Sequence, residues 1–129
     1  MASDPLRQWR RKPQDEAPPP SGQPTYEAYK AVDRKPENLE IRKAGQLAYV
    51  VEYRYRLYMT HDGKRGTIMN LVFSFMVVEV RGRNLQSVIA ALADRRCDFI
   101  QEFDAREFNQ PQPDVPLIES ITITTGQKP

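Results

Sequence analysis

The chain has little of the chemistry on which disulfides, zinc sites and most active sites depend. Its 129 residues include one cysteine, Cys97, and one histidine, His61. A single thiol cannot close an internal disulfide, and one Cys with one His cannot form an all-Cys/His zinc site. We therefore expect no structural metal, and the lone thiol fits the reducing environment of the cytoplasm.

Long apolar runs and nucleotide-binding motifs are also missing. No window approaches the roughly 20 apolar residues of a membrane-spanning helix, and the start MASDPLRQWRRKPQ has no apolar segment of signal-peptide length. Neither GxxxxGK[ST] nor GxGxxG occurs. The sequence therefore predicts a cytoplasmic protein that binds no cofactor and does not enter a membrane.

The residues that could serve as a base or a nucleophile stand alone. His61 lies beside Asp62 in a turn sequence, and neighbours in a turn rarely point at one substrate. Cys97 follows two arginines that would lower its pKa, but its spacing from Phe99 favours a buried structural cysteine. We expect a protein that is not an enzyme.

Charge is nearly balanced but unevenly distributed. Nineteen Lys and Arg against seventeen Asp and Glu give a net charge of +2. Residues 44–96 carry eight basic and four acidic side chains, whereas residues 97–129 carry two basic and six acidic. This polarity favours self-complementary packing or a charged protein partner over a broad surface for polyanions.

The first 36 residues predict a disordered, proline-rich tail. They hold seven of the eleven prolines and few aliphatic side chains, too few to offset the entropy of ordering. Three aromatic residues, Trp9 among cations and Tyr26 and Tyr29 near the boundary, are either incidental or a docking peptide that orders on a partner. Residues 37–125 then form a single α+β domain.

Alternating apolar residues predict about five strands within that domain. Tyrosines and aliphatic residues at every second position from Leu47 to Met59 indicate one long, half-buried strand. Asp62-Gly63 supplies a hairpin turn, and a change of phase after Phe75 indicates a second turn near Ser74–Val77. The remaining strands are expected in ENLEIRKAG, TIMNLVFSF, MVVEV and LIESITITT.

One helix interrupts the strands. Leu85, Val88, Ile89 and Leu92 form an apolar stripe at helical spacing, with Asn84 as the expected N-cap. Residues 97–103 fit either a helix or a strand, and we favour a helical continuation or turn to about Phe103. The predicted fold is a small antiparallel sheet or open barrel with one helix packed on a face.

The junction between the fourth predicted strand and the helix, Arg81-Gly82-Arg83-Asn84, is the first candidate site. Gly82 allows a positive φ or close packing, and the two arginines keep an exposed corner hydrated. The same arginines and the helix N-terminus are suited to an anion or a partner carboxylate. Both interpretations remain open at this point.

The same stretch, VVEVRGRNLQSV, resembles the second motif of Sm-like RNA-binding proteins, in which an apolar strand ends in Arg-Gly. The positions that match are Val80, Arg81, Gly82, Asn84 and Leu85. The resemblance implies a small β-barrel that binds RNA, with Asn70 in the upstream base-binding motif, although no aspartate accompanies it and helical spacing follows Leu85.

The segment YRYRLY is the second candidate, with Arg54, Arg56 and Tyr58 on one face and Tyr53 and Tyr55 on the other. The tyrosine face packs in the core, joins a protein interface or stacks on bases. We therefore expect a non-catalytic interaction or assembly module that binds another protein or its own copy. The alternative is an Sm-like nucleic-acid binder that uses arginines 54, 56, 81 and 83.

Overall fold

The computed structural model describes residues 23–125, which contain eight strands and one helix. In chain order they are β1 Tyr29–Ala31, β2 Asn38–Arg42, β3 Tyr49–Glu52, β4 Arg56–His61, β5 Ile68–Phe73, β6 Met76–Arg83, α1 Gln86–Ala93, β7 Cys97–Gln101 and β8 Leu117–Thr125. Short 3-10 turns at Tyr53–Tyr55 and Gly63–Arg65 precede β4 and β5.

The strands form two sheets of four. The first sheet has the order β1-β7-β2-β3 and the second has the order β4-β5-β6-β8. Every pairing is antiparallel except β2 with β7. The α+β class and the single helix are as predicted for the described residues, but the expected five strands in one sheet are too few.

The helix and the hairpins agree with the sequence patterns. Leu85, Val88, Ile89 and Leu92 are all buried, in one core that also takes side chains from both sheets. A 3-10 turn joins β4 to β5, and bends at 74–75 join β5 to β6. The apolar stripe and the turn residues were sufficient to predict the helix and the hairpins, because both signals are local in the sequence.

The predicted strand from Leu47 to Met59 is two strands in different sheets. At residues 53–55 the chain makes a 3-10 turn, and the buried Tyr53 donates its hydroxyl to the carbonyl of Cys97 at 2.6 Å. Of the residues at the alternate positions, Val51 and Tyr53 are buried and Met59 is partly buried against the core. The half-buried face predicted for the other four is wrong, because Leu47, Tyr49, Tyr55 and Leu57 are exposed. Periodicity therefore gave the right type of element and missed the break.

The helical continuation predicted for residues 97–103 is wrong, since Cys97–Gln101 is strand β7. This strand is central in the first sheet, between β1 and β2, and its two faces are both covered. Cys97, Phe99 and Ile100 are buried, so the apolar pattern lacks the alternation of a half-exposed strand.

Residues 23–36, assigned to the tail from the sequence, lie on the domain. β1 pairs with β7, and Tyr26 and Ala28 are buried. The Tyr26 hydroxyl donates to the Gln101 carbonyl at 2.5 Å and accepts from the Ile118 N–H at 3.0 Å. The predicted boundary at residue 37 therefore cuts through this packing, and Trp9 lies outside the described residues.

Candidate interaction surface

The four outer edges of the two sheets differ in how their backbone groups are satisfied. Along β8, the Ile118 carbonyl accepts from the Phe103 N–H at 2.8 Å, and the Ile121 N–H donates to the Glu102 carboxylate at 2.9 Å. Tyr26 satisfies the Ile118 N–H, as described above. These contacts cover the first half of the β8 edge, which is otherwise a template for another strand.

The β1 edge is short and partly covered. β1 has three residues, and the segment before it is held to the loop after β7 by the Asn109 N–H, which donates to the Pro24 carbonyl at 3.1 Å. Between the segment before β1 and the loop after β7 lies a groove of about 380 Å³, whose lining includes Tyr26, Tyr29 and Pro111. Two of the three aromatic residues proposed for tail docking, Tyr26 and Tyr29, thus line this groove.

β3 and β4 are each an outer strand of their sheet. The segment that contains them carries most of the exposed large apolar side chains of the described residues. Among residues 23–125, eight large apolar side chains are exposed, and six of them lie between residues 47 and 58. We call these six the apolar edge: Leu47, Tyr49, Val50, Tyr55, Leu57 and Tyr58. Leu47 is 88% exposed, Val50 and Leu57 are each 64% exposed, and Tyr58 is 58% exposed.

The other two exposed apolar residues, Phe75 and Val77, adjoin the β4 part of the apolar edge. Tyr58 pairs with Val72 and Val72 with Val77, so the three form one row across the outer face of the second sheet. The rings of Tyr55 and Phe75 meet edge to face at 5.9 Å between centroids. An apolar surface therefore extends from the free edge of β4 onto the sheet.

The two arginines predicted beside Tyr58 point in different directions. Arg54 is exposed and forms an ion pair with Glu52 at 2.7 Å. Arg56 instead donates to the carbonyl of Leu92 in the last turn of α1 at 2.6 Å, and burial lowers the pKa of its guanidinium. Arg56 therefore stabilises the C-terminal end of the helix, where cations are favoured, and Tyr58 and Arg54 remain at the surface.

The junction after β6 lies against the β4–β5 hairpin, which brings two further cations near it. The Leu85 N–H donates to the Gly66 carbonyl at 2.9 Å, and the Gln86 side chain donates to the Lys64 carbonyl at 2.7 Å. We call Lys64, Arg65, Arg81 and Arg83 the basic corner. Sequence reasoning missed the first two because the hairpin is about twenty residues away along the chain.

Within the basic corner the charges are partly compensated. Arg81 forms an ion pair with Glu79 at 3.0 Å. Arg83 has its Nε atom buried without a hydrogen-bond partner among the described residues. Because this atom has almost no exposed surface, the orphaned donor does not by itself offer a site to an anion from solution.

Asn84 does not cap the helix as predicted. It has a left-handed backbone, with φ of 55°, and its side-chain amide donates to the carbonyl of Pro113 at 2.8 Å. The N-cap is Leu85, which has no side-chain capping bond. Asparagine tolerates this backbone region better than most residues, so Asn84 turns the chain and fixes the loop before β8.

Gly82 lies where β6 approaches β8 most closely. The register between these strands shifts between Arg81 and Gly82, which marks a bulge. A Cβ atom at Gly82 would overlap the carbonyl oxygen of Leu117 and come within 3.0 Å of the Ile118 Cα. Close backbone packing, one of the two roles predicted for this glycine, is thus its role here.

The residues considered for catalysis have structural contacts. The Nδ1 of His61 accepts the Gly63 N–H at 3.0 Å within the hairpin turn. Cys97 is fully buried, and burial raises the pKa of its thiol to about 12. Within residues 23–125 no group of three or more His, Cys, Asp or Glu could hold a metal ion. Over the same range, no helix is long and apolar enough to span a membrane.

Comparison with protein-family models, with curated proteins and with solved structures finds no match to any of the three. The Sm-like resemblance of residues 80–85 therefore stays a prediction. The chain also enters a helix, α1, after the Arg-Gly pair, where the Sm-like motif continues into a strand.

Proposed function

We propose that this domain is an interaction or assembly module whose binding surface is the apolar edge. The observation that carries the proposal is the coincidence of two features in residues 47–58. Among residues 23–125, this stretch contains six of the eight exposed large apolar side chains, and it joins β3 and β4, each of which is an outer strand of its sheet.

Two physical arguments support this assignment. Exposed apolar patches larger than a few hundred Å² are rare on monomeric proteins and mark binding surfaces. Open strand edges are normally protected by charge, proline or a covering segment. Here Tyr26, Glu102 and the Phe103 N–H cover the first half of β8, whereas Leu57 and Tyr58 on β4 are apolar and exposed. A partner that covers the apolar edge would bury the exposed apolar side chains and satisfy the open backbone edge of β4 at the same time.

Introducing a charge at the apolar edge tests the proposal. Leu57→Glu should weaken association about tenfold or more, since a buried unpaired carboxylate costs more than the roughly 1.4 kcal/mol that tenfold represents. Stability should change by no more than about 0.5 kcal/mol because the position is a surface one. Association is measured by sedimentation velocity for self-association and by affinity capture for other proteins.

Gln112→Glu is the matched control because it adds the same charge at an exposed position in the loop before β8. We expect this variant to associate like the unmodified protein. Equal binding by Leu57→Glu and the unmodified protein, in both measurements, would contradict the proposal.

The basic corner favours a second candidate function, the binding of a polyanion such as RNA. Lys64 and Arg65 lie in the hairpin whose backbone contacts the junction that carries Arg81 and Arg83. The acidic residues after Cys97 and the ion pair of Arg81 with Glu79 oppose such binding. We rank this function below the first because the chain as a whole is almost neutral.

Salt dependence separates the two candidates. We expect unspecific, weak binding of single-stranded RNA, with the slope of log K against log salt changed by less than about one unit in the double variant Arg81→Ala, Arg83→Ala. Arg106→Ala is the control, since Arg106 is exposed and paired with an acid in the same way. Tight, sequence-selective RNA binding that the double change abolishes would overturn the interaction-module proposal in favour of the Sm-like one.

A further inference from the structure

A charged groove lies within the segment that carries the apolar edge. It has a volume of about 360 Å³ and is lined by residues 35–37, residues 52–54 and Arg95, which follows α1. Residues 52–54 stand between Val50 and Tyr55, two members of the apolar edge. A partner that covers the apolar edge would therefore also meet this groove.

Backbone contacts hold the walls of the groove together. The Tyr53 N–H donates to the Glu37 carbonyl at 2.9 Å, and the Val32 N–H donates to the Arg96 carbonyl at 2.8 Å. The buried members of the lining, Tyr53 and Pro36, are apolar, whereas the other five are charged and exposed. The groove thus has an apolar base and a charged rim.

The rim is positive overall, and two of its cations are unpaired. Three cationic and two acidic side chains line the groove, which leaves a net charge of +1. Arg54 and Glu52 neutralise each other in their ion pair at 2.7 Å. Among the described residues, Lys35 and Arg95 form no ion pair, and within the groove only Glu37 opposes them.

Arg56 adds a further positive charge behind the groove. Its guanidinium lies 5.7 Å from the centroid of the Tyr53 ring. Burial, and after it the charge of Arg95, lowers the pKa of this guanidinium. An acidic group in the groove would offset the repulsion between the two arginines.

Arg95 stands at a helix end where glycine is usual. Its backbone is left-handed, with φ of 59°, and its N–H donates to the Leu92 carbonyl at 3.1 Å. The next N–H, of Arg96, donates to the Ala91 carbonyl at 2.9 Å, which completes the pattern of a glycine-type helix end. Arginine at this position costs stability that glycine would not, and strain of this kind is frequent at binding sites.

Resting on the proposed function, we propose that the partner at the apolar edge is a segment of another protein that carries an acidic side chain beside its apolar residues. Its carboxylate docks in the groove, where the Lys35 ammonium and the Arg95 guanidinium are the counter-charges. Its apolar residues cover the apolar edge. Charge complementarity favours this occupant over RNA, because Glu37 and Glu52 confine the positive charge to one small groove.

Selection from a displayed library of random peptides, with the full chain as the target, tests the proposal. We expect the selected peptides to combine apolar residues with an Asp or Glu. Arg95→Gln should weaken binding of a selected peptide about fivefold or more, as measured by fluorescence anisotropy, and so should replacement of the peptide's acid by its amide. In the Arg95→Gln variant the amide replacement should have little further effect, because both changes remove one interaction.

Arg65→Gln is the matched control. Arg65 is also exposed and without an ion pair among the described residues, but it lies in the β4–β5 hairpin, outside the groove. We expect this variant to bind the peptide like the unmodified protein.

Arg95→Gly separates binding from stability. Glycine relieves the left-handed strain, so the melting temperature should rise by about 4 °C. The same variant should bind the peptide as weakly as Arg95→Gln does. A protein that is more stable and binds less tightly excludes a purely structural role for Arg95, whereas unchanged binding would overturn the proposal.

A selection without a binding peptide, selected peptides without an acid, or equal binding by Arg95→Gln and the unmodified protein would also overturn it. Leu57→Glu distinguishes that failure from failure of the proposed function. Peptides that Leu57→Glu weakens and Arg95→Gln does not leave the apolar edge as the binding surface, and peptides that neither change weakens contradict both proposals. Self-association that Leu57→Glu abolishes would identify a second copy as the occupant and overturn the acidic partner.

Discussion

Replacing Gly82 with alanine is expected to lower the free energy of unfolding by about 3 kcal/mol or more, at or above the upper end of ordinary overpacking. The added Cβ would meet the backbone of Leu117 and Ile118, which cannot rotate away as a side chain would. Relief requires β6 and β8 to separate at their bulge. Urea unfolding followed by circular dichroism measures the loss.

Gly63→Ala is the matched control for this substitution. Gly63 has a positive φ, of 68°, which Gly82 does not have, and no heavy atom lies within 4 Å of its Cβ position. Its cost should be the backbone strain alone, about 1 to 2 kcal/mol. A loss at Gly82 no larger than that at Gly63 would show that β8 can move aside, and that the close approach does not constrain the fold.

Leu92→Ala should lower the free energy of unfolding by about 2 to 5 kcal/mol, the range for truncating a buried leucine. Leu92 is fully buried in the core shared by the two sheets, and its carbonyl holds the Arg56 guanidinium. Alanine keeps the backbone carbonyl that accepts from Arg56. The loss of stability therefore measures the cost of the cavity left by the leucine side chain. The same urea titration is suitable.

The control is Leu57→Ala, the same change at a leucine that is 64% exposed. Its effect on the isolated domain should stay within about 0.5 kcal/mol. A loss under half a kcal/mol at Leu92 would mean that the helix can repack over the cavity. A large loss at Leu57 would indicate that the unfolding protein is an oligomer whose interface contributes to stability.

Local patterns were sufficient for the helix and the two hairpins. The stripe from Leu85 to Leu92 is buried as predicted, and the turns at residues 62–66 and 74–75 join the predicted pairs of strands. In each case the signal lies within about ten residues and depends on spacing or turn chemistry.

The elements that were missed depend on contacts between distant parts of the chain. β7 is covered on both faces, and β1 exists because it adds to the edge of β7. Tyr26 looked like an isolated aromatic residue in a proline-rich tail, yet its hydroxyl joins Gln101 to Ile118. Periodicity in one segment contains no information about a partner more than seventy residues away.

The candidate site was predicted in part for the same reason. Tyr58 and Arg54 are at the surface, as the alternation indicated, but Arg56 turns to the end of the helix. The sequence also could not show that β3 and β4 are outer strands of their sheets. Their exposed apolar side chains lie at a sheet edge for that reason.

The covered edge of β8 limits how far any pairing through the second sheet can extend. Glu102, Phe103 and Tyr26 occupy the outward backbone groups of Ile118 and Ile121, in the first half of β8. That sheet therefore has one open edge, at β4, and one edge whose first half is closed to another strand. A partner strand added at β4 uses the open edge, and the covered half of β8 opposes further addition on the other side, so growth strand by strand is disfavoured.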